Sequence, residues 1–189
     1  SSGLHLGETV INAQHVTGLS TSAIAASVSE VGSHDGVLIY DATDSSSSAK
    51  RSTEIFSTGY YDGFGEALAV ADQNNDGFDD LLVGAPAAID ESSGSYPGVV
   101  YVFHGPLVGT MYSSSSDASI AGVQDMSSFG AAIAVGDWDN DGVPDLLVGA
   151  PHTNSDDGEA YVVSLNAGLG NGEDLETVST AKLLGISGE

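Results

Sequence analysis

The sequence predicts an all-β protein made of repeated four-stranded antiparallel sheets packed face to face around an axis. Three observations predict it. The segment Phe64–Pro86 is answered without a gap by Phe129–Pro151, and long-period self-similarity of this kind marks a solenoid, propeller or array. Each copy opens on an apolar run that alternates with small residues, the period-two pattern of a strand. Each then carries a continuous run, Leu81-Leu82-Val83 or Leu146-Leu147-Val148, as expected for a strand covered on both faces. No stretch in either copy has the spacing of an amphipathic helix.

In the second repeat the strand candidates are Ala67–Ala71, with Leu68 and Val70 between alanines, then Leu81–Val83, Gly98–Phe103 and Ala118–Ala121. The third repeats them as Ala132–Gly136, Leu146–Val148, Gly158–Val163 and Ala181–Leu184. Small residues on one face of the first strand suit a position crowded near an axis. A weaker copy opens the chain: Leu6-Gly7 stands at the Phe-Gly position, Ala23–Ser27 and Gly36–Tyr40 follow, and Thr53–Phe56 closes it. The chain therefore divides into repeats over residues 6–63, 64–128 and 129–189. Asp44–Ser48 and Ser113–Ser116 read as flexible connectors.

The chemistry concentrates in two nine-residue loops between the first and second strands. Asp72, Asn74, Asp76, Gly77 and Asp80 stand in one, and Asp137, Asp139, Asp141, Gly142 and Asp145 in the other, both following D-x-[DN]-x-D-G-x-x-D. Alternate positions place hard oxygen donors on one side of a tight coil, and the Gly permits the turn after the third of them. The backbone carbonyls of Phe78 and Val143 can join the set, and Asp80 and Asp145 close it. So many carboxylates repel one another unless a cation lies among them. Calcium suits this set; magnesium, which keeps several waters, suits it less. The loops differ from an EF-hand, whose twelfth position is a Glu, because Val83 and Val148 stand there inside strands. The alternative is an ordinary Asp/Asn/Gly turn, but it has to arise twice in register.

Phe-Gly, the acidic loop and Leu-Leu-Val-Gly-Ala-Pro together resemble the FG-GAP repeat of integrin α-subunit β-propellers, strongly over 64–189 and weakly over 1–63. The resemblance implies blades of an integrin α-like propeller, either open or part of a larger ring of about seven. It also implies that calcium loops lie opposite the main ligand face. The family's calcium ligands would then be Asp72, Asn74, Asp76, the Phe78 carbonyl and Asp80, and in the next blade Asp137, Asp139, Asp141, the Val143 carbonyl and Asp145. The first repeat departs from the pattern: Gln14, His15, Val16 and Thr17 supply no carboxylate, so two calcium sites are expected and none in the first blade.

Composition narrows the partners. With 27 acidic residues against 3 basic ones, the formal charge is −24. Lys50, Arg51 and Lys182 cannot neutralise a phosphate backbone, so nucleic acid is not expected. No apolar stretch approaches the ~18 residues of a membrane helix. Ser1-Ser2-Gly3 is not a basic start followed by an apolar run, so any signal peptide is expected to have been removed already or never included. The absence of Cys removes thiol nucleophiles and disulfides. No H-E-x-x-H, G-x-S-x-G or P-loop pattern surrounds any of the five histidines, so no enzyme is expected. His34 and His152 read as loop residues, and Trp138 as packing on a neighbouring blade. A carbohydrate ligand is possible, though no aromatic cluster supports it.

Three blades are fewer than the four to eight of closed propellers and would leave sheet faces open. A longer propeller, a ring closed by a second copy, or a head-to-tail filament would cover them. The expected function is a non-enzymatic, calcium-stabilised segment of a secreted or cell-surface protein that binds a protein ligand for adhesion. The alternatives are a self-assembling structural protein and an accessory domain of a large secreted enzyme.

Overall fold

The computed structural model describes residues 4–18, 23–30, 35–41, 50–154, 156–165, 169–170 and 172–185. The connector 44–48 and His34 lie outside them. The strands are β1 (Leu4–Asn12), β2 (Ala23–Glu30), β3 (Gly36–Asp41), β4 (Lys50–Phe56), β5 (Ala67–Ala71), β6 (Asp80–Ala85), β7 (Val99–Phe103), β8 (Gly109–Tyr112), β9 (Ala118–Ala121), β10 (Ala132–Gly136), β11 (Asp145–Ala150), β12 (Glu159–Ser164), β13 (Glu173–Asp174) and β14 (Ser179–Leu184). One helical turn, α1 (Leu175–Val178), precedes β14.

They form three sheets, ordered β1-β2-β3-β4-β8, β13-β9-β7-β6-β5 and β10-β11-β12-β14. Within each sheet the four sequential strands pair antiparallel, as expected. The fifth strands are additions that the spacing of apolar residues does not announce. β8 lies in the connection between β7 and β9, yet it pairs in parallel with β4 of the first sheet, Thr53 opposite Gly109 and Phe56 opposite Tyr112. β13 does the same from the third sheet to the second, with Glu173 opposite Ile120. The second and third sheets thus each reach across to bind the outer edge of the one before. The Thr53 hydroxyl donates to the Leu107 carbonyl at 2.9 Å at the first junction, and the Ser119 amide donates to the Gly170 carbonyl at 3.1 Å at the second.

The core is two interfaces between sheets. Strand alternation divides β6: Leu81, Val83 and Ala85 enter the cluster shared with Val37, Ile39 and Ile55 of the first sheet, while Leu82 enters the cluster shared with Phe129, Leu146 and Val148 of the third. All six residues of β6 are buried. β11 has the same sequence, Asp-Leu-Leu-Val-Gly-Ala, but Leu147 and Gly149 are only half-buried, because among the described residues no sheet covers its second face. β10 shows this most plainly: its small residues Ala132, Ala134 and Gly136 are exposed, where Ala67 and Ala71 of β5 are buried.

The Phe-Gly dipeptides sit at these interfaces. Phe129 is fully buried and packs edge-on to Tyr161 with ring centroids 5.9 Å apart, while Phe64 meets Tyr101 at 5.7 Å and Phe103 at 6.3 Å. Glycines receive the Phe-Gly backbone: a Cβ at Gly84 would lie 2.1 Å from the Gly130 carbonyl oxygen, and one at Gly98 would lie 2.2 Å from that of Phe129. The Phe129 amide donates to the Pro97 carbonyl at 2.8 Å, pinning the third sheet to the second.

Near the open side, buried Glu159 accepts from Lys182 Nζ at 2.7 Å and from the Tyr161 hydroxyl and the Asn154 amide. Burial alone would raise the Glu159 pKa, but Lys182 and the hydrogen bonds from Tyr161 and Asn154 hold it below the usual carboxylate value. The stability from this depressed pKa is present above the unfolded value, about 4.3, and lost as pH falls through the folded one. Glu159→Gln should therefore flatten the acid limb of a plot of unfolding midpoint against pH. Lys182→Met should cost only about 1 kcal/mol at neutral pH, because Lys182 is half exposed and its charge is screened.

Candidate metal centre

The two acidic loops fold alike, from the same local hydrogen bonds. In the loop between β5 and β6, the Asp76 amide donates to Asp72 Oδ1 and Asn74 Oδ1, each at 3.0 Å, the Gly77 amide to Asp72 Oδ2 at 2.9 Å, and the Phe78 amide to Asp76 Oδ1 at 2.9 Å. Between β10 and β11, the Asp141 amide donates to Asp137 and Asp139, each at 3.1 Å, Gly142 to Asp137 at 3.1 Å, and Val143 to Asp141 at 2.8 Å. These short-range bonds wind the coil and turn its side-chain oxygens inward. The turn needs two left-handed residues, one on each side of the third acid: Asn75 at φ 58° and Gly77 at φ 89°, repeated as Asn140 at φ 60° and Gly142 at φ 90°. Asn tolerates that region, and Gly enters it without strain.

The last acid of each loop differs from the rest because it begins a strand and is buried. Asp145 accepts from the Trp138 amide at 2.8 Å. Asp80 accepts from the Gln73 and Gly105 amides, each at 2.9 Å, and is fully buried. Burial raises the Asp80 pKa; the amides of Gly105 and Gln73 and the proximity of His104 oppose that rise. A buried carboxylate with its charge only partly answered by amides is well suited to a cation.

One carboxylate oxygen each from Asp137, Asp139 and Asp145 lies within 4.8 Å of the others, a group that could hold a metal ion. The equivalent positions in the first loop are Asp72, Asn74 and Asp80, with an amide oxygen in place of one carboxylate. Among the described residues no other group of acids, His or Cys comes together in this way. The donor set is all oxygen, and its residues are held by the backbone before any ion arrives, which fits a hard divalent cation.

The corresponding turn of the first sheet carries no such acids and serves packing instead. Ala13 and Val16 are buried in the first interface, the Leu107 amide donates to the Val16 carbonyl at 2.7 Å, and His15 approaches Asp79 at 3.5 Å. The turn thus braces the neighbouring acidic loop. Of the other histidines, His104 bonds Gln73 at 2.8 Å and His152 bonds Ser128 at 2.9 Å, so each joins loops. Sequence predicts that Trp138 packs on a neighbouring blade, but it is 59% exposed and lies beside Ala134 and Leu147, on the side of the third sheet that no other described sheet covers. Its place in the motif predicts the loop, but not whether a neighbour is there to cover it.

Antiparallel pairing places both acidic loops at one end of the sheets and the loops following β4, β6 and β9 at the other. Those opposite loops expose Tyr60, Tyr61, Tyr96 and Met126, each more than half accessible. Tyr61 and Met126 occupy matching places and both have positive φ, 55° and 60°. Non-glycine residues held in that conformation concentrate at functional sites.

The FG-GAP repeat model matches residues 64–103 and 129–163. Mouse integrin alpha-7 is 43% identical over 101 residues, covering 53% of this chain and 8% of that protein. Integrin alpha-3 of Cricetulus griseus is 35% identical over 136 residues, 71% of this chain and 12% of the relative. Bovine phosphatidylinositol-glycan-specific phospholipase D is 38% identical over 101 residues, 51% and 12% respectively. The chain therefore spans about a tenth of the length of the curated relatives it matches.

Proposed function

Because the chain is an FG-GAP-repeat, integrin α-like propeller segment, we propose that it is a non-enzymatic calcium-binding module of a secreted or cell-surface protein, serving adhesion or protein–protein interaction. Its repeats run over 6–63, 64–128 and 129–189, and only the last two carry a metal loop. One observation carries the reading: the same oxygen-lined coil occurs at the same place in two sheets, wound by the same amide-to-carboxylate bonds. Asp72, Asn74, Asp76, the Phe78 carbonyl and Asp80 would hold one calcium. Asp137, Asp139, Asp141, the Val143 carbonyl and Asp145 would hold the other. The bound ion would offset repulsion among the carboxylates and hold the first two strands of each sheet at a fixed angle. Extracellular calcium levels suit weak loops of this type, which supports placement outside the cell. A protein partner would meet the exposed Tyr60, Tyr61, Tyr96 and Met126 at the opposite end, since amphipathic aromatic side chains are favoured in protein interfaces. The similarity to a phospholipase D favours a second reading, an accessory domain beside a secreted enzyme.

Titration calorimetry of the metal-free chain should find two calcium sites, and chelator should lower the unfolding midpoint. Absence of calcium heat, together with a midpoint indifferent to chelator, would remove the proposal.

A further inference from the structure

The two interfaces between sheets hold equivalent tyrosines in unlike surroundings. Tyr161 of β12 stands directly opposite Lys182 of β14, and Tyr101 of β7 directly opposite Ser119 of β9. Each ring packs on the phenylalanine of its own Phe-Gly dipeptide, with centroids 5.9 and 5.7 Å apart. Directly opposed residues share one face of a sheet, so Lys182 and Ser119 occupy matching places. In the third sheet the chain fills that place itself. Lys182 Nζ lies 2.7 Å from Glu159 Oε1 and 5.5 Å from the centre of the Tyr161 ring, and the Tyr161 hydroxyl donates to Glu159. A carboxylate, a phenol and a ring face thus hold one ammonium group.

The second sheet has Ser119 in place of Lys182 and Val99 in place of Glu159, and these smaller side chains help to line a cavity of about 390 Å³ beside Tyr101. Its negative wall comes from elsewhere. The loop from β6 to β7 is longer than its counterpart in the third sheet, 87–97 against 152–157, and brings Asp90 and Glu91 to the cavity. The Asp90 amide donates to the Ser95 carbonyl at 2.9 Å, which fixes this loop. The Ser93 hydroxyl, helped by Ser92, holds the Asp90 carboxyl below the usual carboxylate range against the effect of burial. Burial, with the charges of Asp62 and Glu91, pushes the Tyr101 hydroxyl up to about 12, so it stays neutral. Among the described residues that hydroxyl makes no hydrogen bond, whereas its counterpart on Tyr161 does.

We propose that this cavity binds the ammonium group of a lysine side chain presented by a partner protein, seated against Tyr101 and the acids of the 87–97 loop. Acidic residues alone would not identify the ligand; it is identified by the lysine that the matching place of the third sheet holds. A chain of formal charge −24 also attracts a basic partner segment. Tyr60, Tyr61, Tyr96 and Met126 do not line the cavity, so the site is separate from the surface proposed above, and it requires no calcium.

The test is residue-resolved NMR of the chain in saturating calcium, titrated with Nα-acetyl-lysine methylamide. The amides of Asp90, Glu91, Tyr101 and Ser119 should shift to saturation. The Nε-acetylated compound, which lacks the charge, should leave them in place. Glu91→Gln, a change at an exposed position, should weaken binding about threefold, and Ser119→Lys should abolish it by filling the cavity from within. Lys182→Ala should create a second site, read at the amides of Glu159 and Tyr161. The proposal is overturned if the lysine compound moves none of the four amides, or if the Nε-acetylated compound moves them equally. It is also overturned if calcium beyond the needs of the acidic loops moves them and the lysine compound cannot displace it, since the cavity would then be a metal site.

Discussion

Phe129→Ala should destabilise the chain by about 3–5 kcal/mol, the range for truncating a fully buried aromatic side chain. Phe129 is wholly enclosed between the second and third sheets, set edge-on to Tyr161, and its backbone is locked against Gly98. Relaxation cannot close the cavity, because the strands on both sides are held in their own ladders. A domain with a typical stability of about 5–15 kcal/mol would lose a large part of it. The loss should be local first. Hydrogen exchange should show β10–β12 opening well before β2–β4, since the first interface does not use this side chain. Leu6→Ala, at the matching place in the first sheet, should change stability by less than about 0.5 kcal/mol, because Leu6 is 53% exposed. Equal losses for the two variants in urea unfolding would show that the dipeptide does not act through the interface.

Asp145→Ala should abolish calcium binding at the second loop alone. The chain has one tryptophan, Trp138, and its amide donates to Asp145, so its fluorescence reports on that loop and not on the one at 72–80. Calcium should change the emission of the parent chain, and the variant should show no change while retaining the heat of the first site. With the ion at 100-fold its Kd, each site adds about 2.7 kcal/mol, and the variant should forfeit that amount in saturating calcium. A further loss of about 1 kcal/mol, from breaking the part-buried hydrogen bond of the Trp138 amide to Asp145, should persist in chelator. A variant whose tryptophan still responds to calcium would place the ion elsewhere.

Much of this arrangement was legible in residue order. The oxygen donors are spaced within nine residues, and the amide bonds that organise them span two to five positions, so local sequence is enough to write both loops. The burial of Asp80 was not legible. It depends on Gly105, which lies in another connection and donates to it. β8 and β13 were missed for a similar reason: Gly109-Thr-Met-Tyr112 and Glu173-Asp174 have no apolar period of their own, and they become strands only because a neighbouring edge offers unpaired peptide groups.

Spacing in the chain settles the all-β class, the order of the four main strands in each sheet and the acidic coils, because each depends on side chains a few positions apart. Packing settles the rest. β6 and β11 share six residues, yet one is enclosed and the other half open, since burial belongs to whatever sheet lies alongside and is not written in the strand itself.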